Sequence, residues 1–146
     1  MARITHIHVD HEPALGFVLT PMWPETAQDL MTPHPRSVKA TATVAEVARV
    51  LTEAHFSGIP VVGERNVLVG VVTHSDIVRH LSDGKDSNVP IGEVMTPDVW
   101  AVTLGVATAT VIDQMVEHGI HRVFVVENDI LVGVVSAFDI VRRMRM

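Results

Sequence analysis

Apolar residues recur at helical spacing through residues 43–56, TVAEVARVLTEAHF. Positions three and four apart lie on one face of a helix, so this stretch predicts an amphipathic helix with one buried stripe. The stripe consists of Val44, Val47, Ala48, Leu51 and Ala54 or His55. Thr43 at the start and Glu46 three positions later predict a capping box, which would fix where the helix begins.

Two runs rich in β-branched residues follow this helix. Residues 59–62 (IPVV) and residues 67–72 (VLVGVV) flank the polar tetrapeptide GERN, a pattern that predicts two buried strands joined by a turn. Helical spacing returns in SDIVRHL and stops at the polar stretch 82–90. With a short strand expected around residues 37–39, the first half of the chain predicts the order β-α-β-β-α.

The second half of the chain repeats the first. The segments GVVTHSDIV at residues 70–78 and DLMTP at residues 29–33 return as GVVSAFDIV at residues 133–141 and EVMTP at residues 93–97. Repeats at a nearly constant spacing indicate two copies of one structural unit. The second copy predicts a short strand around residues 99–102, a helix near residues 107–118, strands near residues 122–127 and 130–135, and a last helix near residues 137–144.

This organisation predicts an α+β fold of two tandem β-α-β-β-α units related by a pseudo-twofold axis. Half of the chain buries too little surface to be stable alone, so the two copies are expected to cover each other's apolar faces. The predicted boundaries are an N-terminal arm at residues 1–26 that docks on the core, a first repeat at residues 27–82, a linker at residues 83–90 and a second repeat at residues 91–146.

Composition narrows the classes of function. The chain is 47% hydrophobic and 19% charged, a balance that predicts a folded chain. A net charge of −6 and only 4% aromatic residues argue against binding to nucleic acid or to an anionic membrane surface. There is no cysteine, which excludes disulfides and thiolate metal sites. Because no apolar run reaches the ~20 residues of a membrane span and no signal-peptide pattern is present, we expect a cytoplasmic protein.

Three motifs occur in the same order in both halves: Met-Thr-Pro, a strand that reads IPVV or VFVV, and Gly-Val-Val-[Ser/Thr]-x-x-Asp. Together they resemble the CBS domain, named after cystathionine β-synthase, and the two copies resemble the tandem pair called a Bateman module. The resemblance extends over about residues 27–146. It implies a stand-alone, homodimeric regulatory protein that binds an adenosine-containing ligand (AMP, ADP, ATP or a related adenosyl compound) in clefts between the two units and transmits this state to a partner. Gly70 and Gly133, which begin the third motif, would allow a close backbone approach.

The Ser/Thr-x-x-Asp segments carry the predicted ligand chemistry. Thr73 and Ser136 stand where a buried strand ends and a helix begins, and the unpaired N–H groups at a helix start can bind phosphate. Asp76 and Asp139 lie one turn later, where a carboxylate can accept hydrogen bonds from both hydroxyls of a ribose. The same spacing is also that of an ordinary capping box, and the two roles are compatible.

A second group of candidates lies at the start of two strands. His121 and Arg122 resemble the His-Arg pair that contacts phosphates in the regulatory gamma subunit of AMP-activated protein kinase, although an exposed basic pair at a strand start looks the same. The corresponding residues of the first repeat are Ser57 and Gly58, so the two ligand sites are expected to be unequal. The predicted ligand-binding set consists of Thr73, Asp76, Ser136, Asp139, His121, Arg122, Ser57, Gly58, Ile59 and Val38.

The N-terminal segment HIHVDH is a weaker candidate, for a metal site. In an extended strand His6, His8 and Asp10 would share one face, with His11 close by, and these side chains suit Zn²⁺, Ni²⁺ or Cu²⁺. Solvated histidines near a chain end are the commoner explanation. The apolar stretch at residues 14–24 is expected to dock on the core or on a partner.

Three classes of function can be compared. A regulatory ligand-binding module is favoured, and the alternative is a structural protein whose paired repeats form a dimer interface and bind no small molecule. No nucleophile elbow, phosphate-binding loop, HExxH or GxGxxG motif supports an enzyme. The dimer interface is expected on the apolar helix faces that carry Val47, Leu51, Val111, Ile112 and Met115.

Overall fold

The structure is a computed structural model that describes residues 6–11 and 26–143 of the chain. These residues form two compact units. Unit 1 comprises residues 6–7 and 36–99, and unit 2 comprises residues 8–11, 26–35 and 100–143. The apolar stretch at residues 14–24, predicted to dock, lies outside the described residues.

The helices and strands follow the order predicted for the two repeats, with three short additions near the N-terminus. In chain order they are β1 (His6–Asp10), α1 (Ala27–Leu30), β2 (Thr32–Pro33), β3 (Val38–Lys39), α2 (Val44–Ala54), β4 (Gly58–Val62), β5 (Leu68–Thr73), α3 (His74–Ser82), β6 (Asp98–Thr103), α4 (Thr108–His118), β7 (Arg122–Glu127), β8 (Ile130–Ser136) and α5 (Ala137–Arg143). Short 3-10 turns lie at Glu64–Asn66 and Ile91–Glu93. The α+β fold of two tandem β-α-β-β-α units is confirmed.

Unit 1 is built on a three-stranded sheet in the order β3-β4-β5. β3 runs parallel to β4, and β4 runs antiparallel to β5. Every residue of β4 is buried, as expected for a central strand covered on both faces. The predicted capping box begins α2, because Thr43 Oγ1 accepts a hydrogen bond from the Glu46 N–H at 3.1 Å and the Glu46 carboxylate accepts one from the Thr43 N–H.

A five-stranded sheet, most of it in unit 2, has the order β1-β6-β7-β8-β2. β6 runs parallel to β7, and β8 is antiparallel to both of its neighbours. The described part of the N-terminal arm, β1, therefore forms one edge of this sheet. The core of the unit is lined by α1, α4 and the inner faces of the central strands.

The helix faces expected to form a dimer interface face the cores of their own units. Val47, Leu51 and Val111 are fully buried and Met115 nearly so, which corrects this part of the prediction, whereas Ile112 is half-buried. The amphipathic stripe identified the buried face correctly, but what covers it is the unit's own sheet. The apolar side chains that are exposed lie elsewhere, namely Phe56, Val78, Leu81, Val116, Ile130, Phe138 and Val141.

A methionine lies directly against the glycine of each Gly-Val-Val motif. In unit 1, a Cβ atom added to Gly70 would lie 2.6 Å from Met95 Sδ and 2.9 Å from the Thr96 carbonyl oxygen. Thr96 and Val71 exchange two backbone hydrogen bonds, of 2.7 and 2.9 Å. The close approach predicted for Gly70 is therefore made by the Met-Thr-Pro segment of the chain.

Unit 2 has the same arrangement around Gly133. The atoms nearest to a Cβ added there all belong to the Met31 side chain, with Sδ the nearest. The next two residues form β2, in which Thr32 pairs with Val134. The Met-Thr-Pro segment near the start of the first repeat thus lies in unit 2, and the one near the start of the second repeat lies in unit 1.

Alanine substitutions at the glycines test this packing. Gly70→Ala places a methyl group against the Thr96 carbonyl oxygen, a backbone atom that cannot rotate away, so we expect the free energy of unfolding to fall by about 1–3 kcal/mol. Gly133→Ala meets only the flexible Met31 side chain, so its loss is expected to be smaller. Chemical denaturation measures both values.

The matched control is Gly105→Ala, because a Cβ there has nothing within 4 Å. This variant is expected to lose no stability. If Gly70→Ala were as stable as Gly105→Ala, the proposed packing of Met95 and Thr96 on Gly70 would be wrong.

Candidate functional site

The start of α3 is fixed by a complete capping box. The Thr73 N–H donates to Asp76 Oδ2 at 2.8 Å, and the Asp76 N–H donates to Thr73 Oγ1 at 3.3 Å. Asp76 is only 7% exposed. The capping role that the sequence left open is therefore present, and a ligand role for Thr73 and Asp76 stays a prediction.

The second carboxylate oxygen of Asp76 faces two other side chains. Thr96 Oγ1 donates to Asp76 Oδ1 at 3.1 Å, and Arg79 Nη1 lies 3.5 Å from the same oxygen. Thr96 is the threonine of the second Met-Thr-Pro segment. The hydrogen bond therefore connects the helix start to the segment that lies on Gly70, a contact that the sequence did not predict.

The start of α5 has the same capping box and an equivalent arginine contact. Both the N–H and the hydroxyl of Ser136 lie 2.9 Å from Asp139 Oδ2, and the Asp139 N–H donates to Ser136 Oγ at 3.0 Å. Asp139 Oδ1 accepts a 2.9 Å hydrogen bond from Arg142 Nη2. The guanidinium of Arg142 also lies over the Phe138 ring, 5.6 Å from its centroid. Arg142 thus corresponds to Arg79, and the threonine hydroxyl is the contact that distinguishes Asp76 from Asp139 among the described residues.

The strand starts lie beside these helix starts in both units. In unit 1, Gly58 pairs with Thr73, and the Ser57 carbonyl oxygen accepts a 3.2 Å hydrogen bond from the first N–H of α3. In unit 2, Arg122 pairs with Ser136, and the His121 carbonyl oxygen accepts a 2.8 Å hydrogen bond from the first N–H of α5. The structure therefore brings the predicted polar residues of each unit together at one end of its sheet.

Two of the predicted ligand-binding residues have core positions. Ile59 is fully buried and Val38 is 9% exposed, and both belong to the apolar core of unit 1. Their side chains pack against the α2 stripe and the neighbouring strands. A ligand contact by either residue stays a prediction.

The histidine-rich segment makes stacking and hydrogen-bonding contacts in unit 2. The His8 ring stacks on Trp100 at 4.2 Å between centroids, and the His118 ring stacks on Trp100 at 3.5 Å. Asp10 Oδ2 accepts a 2.9 Å hydrogen bond from Gln114. His8 and Asp10 therefore share one face of β1, as predicted.

The part of the chain that the structure describes contains no group of three or more residues that could hold a metal ion. This finding gives no support to the candidate set of His6, His8 and His11 within residues 6–11 and 26–143. The stacking contact of His8 instead ties β1 to β6 and α4. None of the helices in residues 26–143 has the length and apolar composition needed to cross a membrane.

Comparison with protein families finds the CBS domain twice, at residues 27–83 and 91–145. Among curated proteins, the chain is 29% identical over 118 residues to MJ1225 of Methanocaldococcus jannaschii and 30% identical over 116 residues to the CBS domain-containing protein YhcV of Bacillus subtilis. These matches cover 81% and 79% of the chain, respectively. The chain spans 42% of the length of MJ1225 and 82% of YhcV.

Solved structures show the same fold. The chain is similar to Hypoxic Response Protein I with two coordinated zinc ions, with a TM-score of 0.74 and 29% identity over 82% of this chain and 99% of that one. It is similar to CBSX2 in complex with AMP (TM-score 0.71, 26% identity, 82% and 95% covered). It is also similar to the CBS domain pair of MJ0100 in complex with 5-methylthioadenosine and S-adenosyl-L-methionine (TM-score 0.68, 28% identity, 80% and 97% covered).

Replacing Thr96 by valine tests the contact to Asp76. Valine keeps the shape of threonine but removes the hydroxyl that donates to the buried carboxylate. Hydrogen bonds to charged groups contribute about 1.5–3 kcal/mol, and we expect a loss of stability near the lower end because Arg79 also approaches this oxygen. Thermal or chemical unfolding measures the change.

The matched control is Thr32→Val in the first Met-Thr-Pro segment. Thr32 is exposed, so its substitution is expected to change the stability by less than about 0.5 kcal/mol. Equal effects of the two substitutions would contradict a specific role for the Thr96 hydroxyl.

Proposed function

Because the chain belongs to the CBS domain family, we propose that it is a regulatory module that binds an adenosine-containing ligand and passes the bound state to a partner protein. The single observation that carries this proposal is the pair of helix starts. Each combines a hydroxyl residue and a buried aspartate with the first turn of a helix, beside the start of a central strand. N–H groups at a helix start favour a phosphate, and a carboxylate accepts hydrogen bonds from ribose hydroxyls.

Ligands bound to relatives support the adenosyl class. AMP is bound in CBSX2, and 5-methylthioadenosine and S-adenosyl-L-methionine are bound in MJ0100. These three molecules differ in charge and in the group attached to the 5′ carbon, but all of them contain adenine attached to a ribose with its 2′ and 3′ hydroxyls. We therefore propose adenosine as the part of the ligand that this chain recognises.

The two helix starts are proposed to differ in what they bind. Asp139 Oδ1 accepts one hydrogen bond, from Arg142, whereas Asp76 Oδ1 faces both Thr96 and Arg79. A carboxylate oxygen can accept about two hydrogen bonds, so Asp139 retains more capacity for a ribose hydroxyl. Arg122 at the adjacent strand start adds a cation. The start of α5 is thus proposed to bind the nucleotide phosphate and ribose.

A regulatory role is proposed rather than a catalytic one. A cytoplasmic location and a homodimer are part of the proposal, the latter because apolar side chains such as Val78, Phe138 and Val141 are more than half exposed. Light scattering that finds a monomer at working concentration would exclude the dimer.

The second candidate function is a purely structural dimerisation protein. The complete capping boxes of α3 and α5 favour it, because they give both aspartates a role without a ligand.

Calorimetry with AMP and 2′-deoxy-AMP separates ligand binding from capping alone. If Asp139 accepts the ribose hydroxyls, Asp139→Ala and removal of the 2′ hydroxyl should each weaken binding, the substitution by about ten- to a hundredfold. Capping alone predicts a loss of about 1 kcal/mol in stability and an unchanged affinity. The same measurement on Asp76→Ala tests the other helix start.

Asp29→Ala is the matched control. Asp29 forms the same box with Thr26 at the start of α1, but it is exposed and lies outside the predicted ligand-binding set. We expect this variant to bind AMP as the unmodified protein does. If neither AMP nor S-adenosyl-L-methionine bound to the unmodified protein, the structural alternative would be favoured.

Arg122→Ala tests the phosphate contact. Loss of a charged donor is expected to weaken AMP binding by about ten- to a hundredfold and to leave 5-methylthioadenosine, which has no phosphate, nearly unaffected. Equal losses for the two ligands would place Arg122 away from the phosphate.

A further inference from the structure

A large groove lies at the hairpin end of unit 1. Its volume is about 1310 Å³, and it is lined by the ends of β3 and β4, the turn between β4 and β5, and the Met-Thr-Pro segment. Val62, Val67, Val69 and Met95 contribute apolar side chains. The paired residues Gly58 and Thr73 mark the opposite end of β4 and β5. The groove is therefore separate from the start of α3.

Two positively charged side chains lie at this groove. Lys39 and Arg65 line it, and both are exposed. Within residues 6–11 and 26–143, neither of them forms an ion pair. Glu64 is the acidic residue of the lining, so the described side chains give the groove a net positive charge. Apolar walls with unpaired cations are complementary to an organic anion.

The equivalent place in unit 2 has the opposite charge. A cavity of about 580 Å³ lies at the β7–β8 turn and is lined by Glu127 and Asp129, with His11 beside them. The two repeats share their fold here but differ in charge. The positive groove is thus a property of unit 1 and not a consequence of the repeat.

The backbone at Arg65 allows the charge of this side chain to be removed without loss of the turn. Arg65 has φ 58° and ψ 26°, in the left-handed region that side chains other than Asn and Asp rarely adopt. Asn66 is left-handed beside it, and at the corresponding turn of unit 2 the two left-handed residues are Asn128 and Asp129. An asparagine would suit the Arg65 position better, so Arg65→Asn removes the charge without straining the turn.

We propose that this groove binds a small organic anion, with its carboxylate, sulfonate or phosphate group at Lys39 and Arg65 and its apolar body against Val67, Val69 and Met95. The volume exceeds the 300–1,000 Å³ typical of ligand pockets, so an aromatic or acyl body can be accommodated. Such a ligand would contact Met95 in the segment that lies on Gly70. The site is independent of the proposed adenosyl site.

A titration of ¹⁵N-labelled protein with 8-anilinonaphthalene-1-sulfonate, an aromatic sulfonate, tests the proposal. We expect the amide shifts of Gly63, Glu64 and Val67 to move together and to give one dissociation constant. Arg65→Asn should weaken binding by about tenfold while leaving the melting temperature unchanged or raising it, since asparagine suits the left-handed backbone. Lys39→Gln should weaken binding similarly.

The control variant is Arg49→Gln, which removes one positive charge from an exposed position on α2 and is expected to bind the probe normally. Shift changes confined to other parts of the chain, or an Arg65→Asn variant that binds as tightly as the unmodified protein, would overturn the proposal. Displacement of the probe by AMP would also overturn it, because the two sites would then be one. The titration with the sulfonate probe tests the groove whether or not the protein binds AMP.

Discussion

The contact between a methionine and a strand glycine is the feature on which each unit of this protein depends. A glycine inside a strand costs backbone entropy and leaves a gap in the packing. At Gly70 that gap is filled by Met95, and the next residue, Thr96, exchanges two backbone hydrogen bonds with Val71. At Gly133 it is filled by Met31, whose segment continues as strand β2. Any larger residue would displace these segments.

This contact gives a physical reason for the duplication. Each Met-Thr-Pro segment lies near the start of one repeat along the chain and completes the unit built mainly from the other repeat. In unit 1 the effect extends to the helix start, because Thr96 donates to the outer oxygen of Asp76. A ligand hydroxyl that competes for this oxygen would act directly on the segment that lies on Gly70. In unit 2, Asp139 contacts Arg142, the counterpart of Arg79, but shares no such hydrogen bond with a threonine among the described residues, so the two helix starts differ in how they connect to the rest of the unit.

The parts of the fold that were predictable have a strong local pattern. The stripe of α2, the valine-rich strand β4 and the spacing from Thr73 to Asp76 all gave correct elements because neighbouring residues determine them. The strand β1 alternates polar and apolar residues, but the five residues of β1 and the two of β2 do not specify their partners, which are strands distant along the chain. Side-chain contacts between distant residues, such as Thr96 with Asp76 or His8 with Trp100, left no local signal. The apolar stripe on α2 likewise does not indicate whether the sheet of the same unit or a second copy of the chain covers that face.

The most direct test of this account is hydrogen exchange of the Gly70→Ala variant, measured amide by amide. Displacing Met95 should lower protection of the Thr96 amide, which donates to Val71 at 2.7 Å, and of the Asp76 amide at the α3 start. The amides of unit 2 that join β2 to β8 should keep their protection. If protection were lost around Met31 and Thr32 instead, or if protection of the Thr96 amide were unchanged, the account would be contradicted.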